Sequence, residues 1–145
     1  MGKILTDSKR LNIAIILLVI FDLILILTGT LYAIMGFMPY HEKIIGKSLS
    51  KVNSDVMKFI YTVIRINGFM FITLGVTGIY ILFVGFRKKE KWAWIYTLLV
   101  VALANFPTTI IIFVMNPTFE MPFPLTLSLL IMGIIALCIS YKEFE

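Results

Sequence analysis

With 145 residues, 60% of them hydrophobic and only 14% charged, and a mean hydropathy of +1.00, the chain carries little more than half the charge of an ordinary soluble domain. One cysteine and one histidine exclude an intrachain disulfide, a CxxC redox pair, a cysteine metal cluster and a bis-histidine haem site. The net charge of +5 sits in the connections between apolar runs, so it points to membrane topology and anionic headgroups rather than to nucleic acid.

The first apolar run, Leu11 to Met38, follows Lys9 and Arg10 and is interrupted by Asp22. It is far longer than the apolar core of a signal peptide and has no A-x-A cleavage pattern, so it is expected to stay as an anchor. The connection Pro39 to Asp55 places Ile45, Leu49, Val52 and Val56 at helical spacing, with Lys43, Lys47 and Lys51 every fourth residue. That pattern predicts a short amphipathic helix lying in the interface. His41 reads as an interfacial loop residue.

The second run, about Val56 to Phe86, contains Lys58 and Arg65, and the third, Trp92 to Met115, contains no charge. Between them RKKEK forms a tight basic turn. In the third run, ANFPTT places Pro107 where its missing N–H leaves the Leu103 carbonyl without its helical donor, so a kink is expected. The turn NPTFEMPFP holds Pro117, Pro122 and Pro124 and stops that helix; the fourth run covers about Phe123 to Tyr141. The expectation is one all-α domain over residues 1–145, a bundle of four transmembrane helices at about 11–38, 56–86, 92–115 and 123–141.

Lys3, Lys9, Arg10, Arg87, Lys88, Lys89, Lys91 and Lys142 fall on one side of such a bundle, and Lys43, Lys47, Lys51 and Lys58 on the other. The positive-inside rule then puts both termini in the cytoplasm of a multi-pass cell-membrane protein. Small residues at helical spacing, Gly29, Ala33 and Gly36, then Gly68, Gly75, Gly78 and Gly85, then Gly133, Ala136 and Ser140, suit close helix packing within the chain and, second, a homo-oligomer or larger membrane complex.

Depth ranks the polar residues. With each helix centred on the hydrocarbon core, Arg65 comes about 6 Å below the outer edge, within reach of its own side chain. Asn67, Thr30, Tyr32, Thr108 and Thr109 come out at similar heights, and Glu120 sits in the turn above them. A guanidinium among hydroxyls and an amide suits an anionic headgroup or carboxylate. Asp22 lies roughly 10 Å inside the core from the cytoplasmic edge, too short to reach water, with Asn105 and Thr73 as the nearest candidate partners by height.

The run IRINGFMFITLGVTGIYILFVGFRKKEKWAWIYTL, Ile64 to Leu99, resembles small four-helix prokaryotic membrane proteins of the broadly DoxX-like kind, through Arg65, Gly68, Phe86, Arg87, Glu90, Lys91, Trp92, Ala93 and Trp94. The resemblance implies a four-helix fold in a prokaryotic membrane and no particular activity. Small multidrug transporters also pair four helices with an acidic residue in the first; this chain is longer than they are and more biased in charge.

No nucleophile, base and oxyanion set is visible, no cofactor is called for, and the leading expectation is a non-enzymatic protein. It would bind a lipid or small amphiphile in an outward-facing polar recess, with Arg65, Asn67, Tyr32, Thr30, Thr108 and Glu120 as ligand contacts. The alternatives are a proton-coupled small-molecule transporter using Asp22, and an accessory subunit of a membrane complex.

Overall fold

Ser8 starts the first helix: its hydroxyl oxygen accepts the Leu11 N–H at 3.3 Å and its carbonyl accepts the Asn12 N–H at 3.0 Å, which satisfies donors that a helix start leaves unpaired. The computed structural model in which this is seen describes residues 8–38, 40, 41, 52–115 and 121–145. Most of the expected interfacial helix, and Glu120, lie outside those residues.

Helix α1 runs Lys9–Met35 and stops three residues short of the expected end. Gly36 takes φ +68, a left-handed conformation that only a residue without Cβ adopts freely, and its N–H closes onto the Tyr32 carbonyl at 2.9 Å. Helix α2, Ser54–Val84, is capped by Asn53, whose Oδ1 accepts the Asp55 N–H at 2.8 Å. It ends in a 3-10 turn, Phe86–Lys88, closed by Lys89 at φ 61. Helix α3, Lys91–Leu99, passes into a π-helical stretch, Val100–Asn105, and continues as α4, Phe106–Met115. Helix α5, Phe123–Ser140, starts with Pro124 in its first turn and ends in the 3-10 turn Tyr141–Glu143.

The segments Lys9–Met35, Ser54–Lys88, Lys91–Met115 and Phe123–Glu143 are each long and apolar enough to cross a membrane. No strand occurs among the described residues. The chain therefore has the all-helical, multi-pass character expected of its composition. The π stretch shows how the third span accommodates Pro107. The Phe106 N–H donates to the Val101 carbonyl, five residues back, so the bonding pattern widens through the turn before the proline.

The chain divides into two compact units, residues 1–22 with 76–145, and residues 23–75. In the first, Leu11, Ala14, Ile15 and Leu18 recur on one face of α1 and are buried with Ile81, Leu82, Phe86, Ala93, Ala136 and Phe144. The Phe86 and Phe144 rings pack 4.8 Å apart. Beside them Ser8 Oγ donates to Glu143 Oε1 at 2.6 Å and Lys89 Nζ to Glu143 Oε2 at 2.7 Å, so one carboxylate ties the start of α1, the basic turn and the end of the chain. Gly133 of α5 meets Val101.

In the second unit the smallest residues make the closest approach. A Cβ on Gly29 would stand 2.5 Å from the Gly68 carbonyl oxygen, and one on Gly68 would stand 2.6 Å from the Ala33 nitrogen. Contacts of this kind draw apolar helices together by packing, since lipid offers no hydrophobic drive between them.

Candidate functional site

Residues 23–75 gather aromatic and cationic groups where α1 ends. Beyond the Gly36 turn, His41 is surrounded by Phe37, Tyr40 and Tyr32, with ring centroids 4.8, 4.4 and 5.9 Å away. Tyr61 of α2 packs on Phe37 at 5.7 Å, and Phe71 on Tyr32 at 6.0 Å. His41 Nδ1 accepts the Met38 N–H at 2.8 Å, and the hydroxyls of Tyr32 and Tyr40 hydrogen-bond to each other. Burial pushes the His41 imidazole below the ordinary histidine range and the Tyr40 phenol above the ordinary tyrosine range.

Arg65 reaches this cluster. Its Nε lies 3.4 Å from where a Cβ on Gly36 would be, and Tyr61 Cδ1 lies 2.7 Å from the same point, so the stem of Arg65 and the ring of Tyr61 close over the glycine. The direction follows from helix geometry, because side chains lean toward the N-terminus of their helix. Arg65 is exposed and forms no ion pair or hydrogen bond among the described residues. Of the residues expected around it, Tyr32 belongs to the same cluster.

The others are turned onto their own helices. Asn67 Nδ2 donates to the Val63 carbonyl at 3.0 Å and Thr30 Oγ1 to the Ile26 carbonyl at 2.8 Å. Thr108 and Thr109 belong to the other unit, where their hydroxyls donate to the Ala104 and Asn105 carbonyls at 2.6 and 2.9 Å. Each is satisfied locally by the carbonyl one turn back.

Asp22 is buried, with 5% of its surface exposed, and makes no hydrogen bond among the described residues. Its carboxylate lies directly on Gly78 of α2: a Cβ there would stand 2.6 Å from Asp22 Cγ. The Tyr96 phenol lies within coulombic range. Asn105, also buried, is engaged through its Oδ1 with Thr109 Oγ1 at 3.3 Å, and Thr73 lies in the other unit with its hydroxyl on the Phe69 carbonyl. Asn105 and Thr73, expected as partners of Asp22, thus bond to groups on their own helices.

A third feature had no sequence expectation attached to it. An apolar groove of about 540 Å³ runs along the third and fourth spans, lined by Trp94, Leu98, Ala102, Phe106, Ile134 and Cys138 among others. Trp94 meets Tyr141 edge-on at 5.8 Å at one end of it. The Trp94 Nε1 is buried without an acceptor among the described residues. A groove between two apolar helices leaves no pattern in the sequence of either helix alone.

Compared with protein-family models, with curated proteins and with solved structures, the chain matches none.

Proposed function

We propose that the chain is a non-enzymatic multi-pass membrane protein that binds a lipid or small amphiphile at the Arg65 cluster, the guanidinium holding its anionic group. The observation that carries this reading is an arginine on a membrane-spanning helix that lies over Gly36 and Tyr61 and has no acidic partner among the described residues. A guanidinium offers five donors in a planar fork that matches a phosphate or carboxylate, and aromatic walls suit the apolar body of an amphiphile. Eight basic residues against four favour both termini in the cytoplasm, which puts Arg65 toward the outer surface. The clasp of Ser8 and Lys89 on Glu143 supports a common side for the two ends of the chain.

The test is lipid retained through purification, quantified by mass spectrometry for wild type and Arg65→Ala. Loss of one anionic lipid class in the variant is the expected result, and an unchanged lipid profile removes the reading.

Asp22 supports a second reading, a proton-coupled transporter, because a buried carboxyl on a spanning helix without a hydrogen bond is the kind of group that proton relays use. Transport of a fluorescent cation in proteoliposomes would then lose its dependence on pH in Asp22→Asn. Transport with the same pH dependence in both proteins argues against it.

A further inference from the structure

We infer that the groove along the third and fourth spans is a second lipid site, taking one acyl chain of an anionic phospholipid whose phosphate rests on Lys91 and Lys142. This groove shares no residue with the Arg65 cluster.

The length of the groove fits one leaflet. It runs from Trp94 to Phe106 along the third span, twelve residues, and at about 1.5 Å per residue that is roughly 18 Å, against about 15 Å for half of the hydrocarbon core. Its walls are almost wholly apolar, and they belong to segments long enough to span a membrane, so a hydrocarbon tail meets them directly. The π-helical turn supplies Val101 and Ala102 to the wall, and the small Ala102 side chain leaves the space open. Local π turns of this kind recur at ligand sites.

The charge at one end selects the headgroup. Lys91 stands one turn before Trp94 on α3, and Lys142 follows Tyr141, while the Trp94 and Tyr141 rings show that these two positions share an end. Of the acidic residues nearby, Glu143 is held by Lys89 and Ser8 and Glu90 accepts the Trp92 indole N–H, while Glu145 is exposed just beyond the 3-10 turn. Lys91 and Lys142 are exposed and form no ion pair among the described residues. A tryptophan and a tyrosine at one end of a tail-sized groove, with a lysine one turn before the first and another directly after the second in sequence, is a surface matched to a phospholipid of negative charge.

The experiment uses the fluorescence of Trp94. The chain has two tryptophans, so Trp92→Phe leaves Trp94 alone. This protein is reconstituted in phosphatidylcholine vesicles doped with phosphatidylglycerol or phosphatidylcholine brominated near the top of the acyl chain. Brominated phosphatidylglycerol is expected to quench Trp94 with roughly thirtyfold higher apparent affinity, the effect of two lysines at about 1 kcal/mol each on an anionic surface. Adding Lys91→Ala and Lys142→Ala should remove that preference. Ala102→Phe, which fills the groove, should remove the saturable quenching, with Ile134→Phe as a second filling variant should the first fail to fold by circular dichroism. Equal quenching by the two lipids, a preference that survives loss of both lysines, or saturable quenching in a folded, filled variant would each overturn the proposal. So would a groove occupied by a second copy, seen as a cross-linked dimer in which Trp94 is shielded from both lipids.

Discussion

The carboxylate of Asp22 lies directly on the backbone of Gly78, with Cγ 2.6 Å from the place a Cβ would occupy. The glycine gives an acidic side chain room between two long apolar helices, and the two residues are coupled by shape before any question of charge arises. Gly78→Ala should therefore destabilise the protein by about 1–3 kcal/mol, the ordinary scale for overpacking. The double variant Asp22→Ala, Gly78→Ala should recover most of that loss. Thermal unfolding in detergent, followed by circular dichroism for the four proteins of the cycle, measures the coupling. Additive effects would show that the contact carries no energy.

The glycines differ in what stands opposite them, and this orders their sensitivity. Gly68 faces backbone, with the Ala33 nitrogen at 2.6 Å and the Gly29 oxygen at 2.7 Å from a Cβ, whereas Gly133 faces only the Val101 side chain, its Cγ2 at 2.7 Å. A side chain can turn; a helix backbone must move as a body. Gly68→Ala should lower the unfolding midpoint more than Gly133→Ala, with the difference about 1 kcal/mol or more by the usual scale of core strain. Equal midpoints would refute the ordering.

His41 is the single histidine, so its titration can be followed without assignment. Burial among Phe37, Tyr40 and Tyr32 lowers its folded-state pKa below the unfolded value, about 6.5. The neutral ring is the form the fold prefers, so this contribution to stability is fully present above pH ~6.5 and is lost as the pH falls through the lower, folded value. NMR of the imidazole Cε1–H should give a midpoint below 6.5, and Phe37→Ala, which opens the cluster, should raise it toward that value. A midpoint at or above the unfolded value in the intact protein contradicts the burial argument.

The four long apolar helices were legible in the sequence because their signal is local: a run of apolar residues of sufficient length needs no partner to be recognised. The end of α1 was misjudged by three residues because hydropathy continues through Gly36, Phe37 and Met38 while the backbone turns at Gly36. Pro107 announced a disturbance, and the form it takes, a π stretch beginning seven residues earlier at Val100, depends on which carbonyls the neighbouring turns can reach. Helical rise places Tyr32 and Arg65 at similar heights, and both border the aromatic cluster at the end of α1. It gave no facing, and Thr30, Asn67 and Thr108 turn onto their own carbonyls. The dense aromatic run FMPYH, Phe37 to His41, was a signal available for the cluster at the end of α1, and its neighbours Tyr61 and Phe71 come from a helix distant in sequence.

The most direct measurement places a photo-cross-linking phenylalanine analogue at Tyr61, whose ring shares the Gly36 surface with Arg65. After irradiation in native membranes, intact mass spectrometry should show a phospholipid or other anionic amphiphile attached in the otherwise wild-type protein, with that adduct reduced at least about tenfold when Arg65 is also changed to Ala, as loss of a charge-assisted guanidinium contact requires. Adducts of the same identity and yield in both proteins would mean that Tyr61 touches bulk lipid alone, and would contradict a binding site at Arg65.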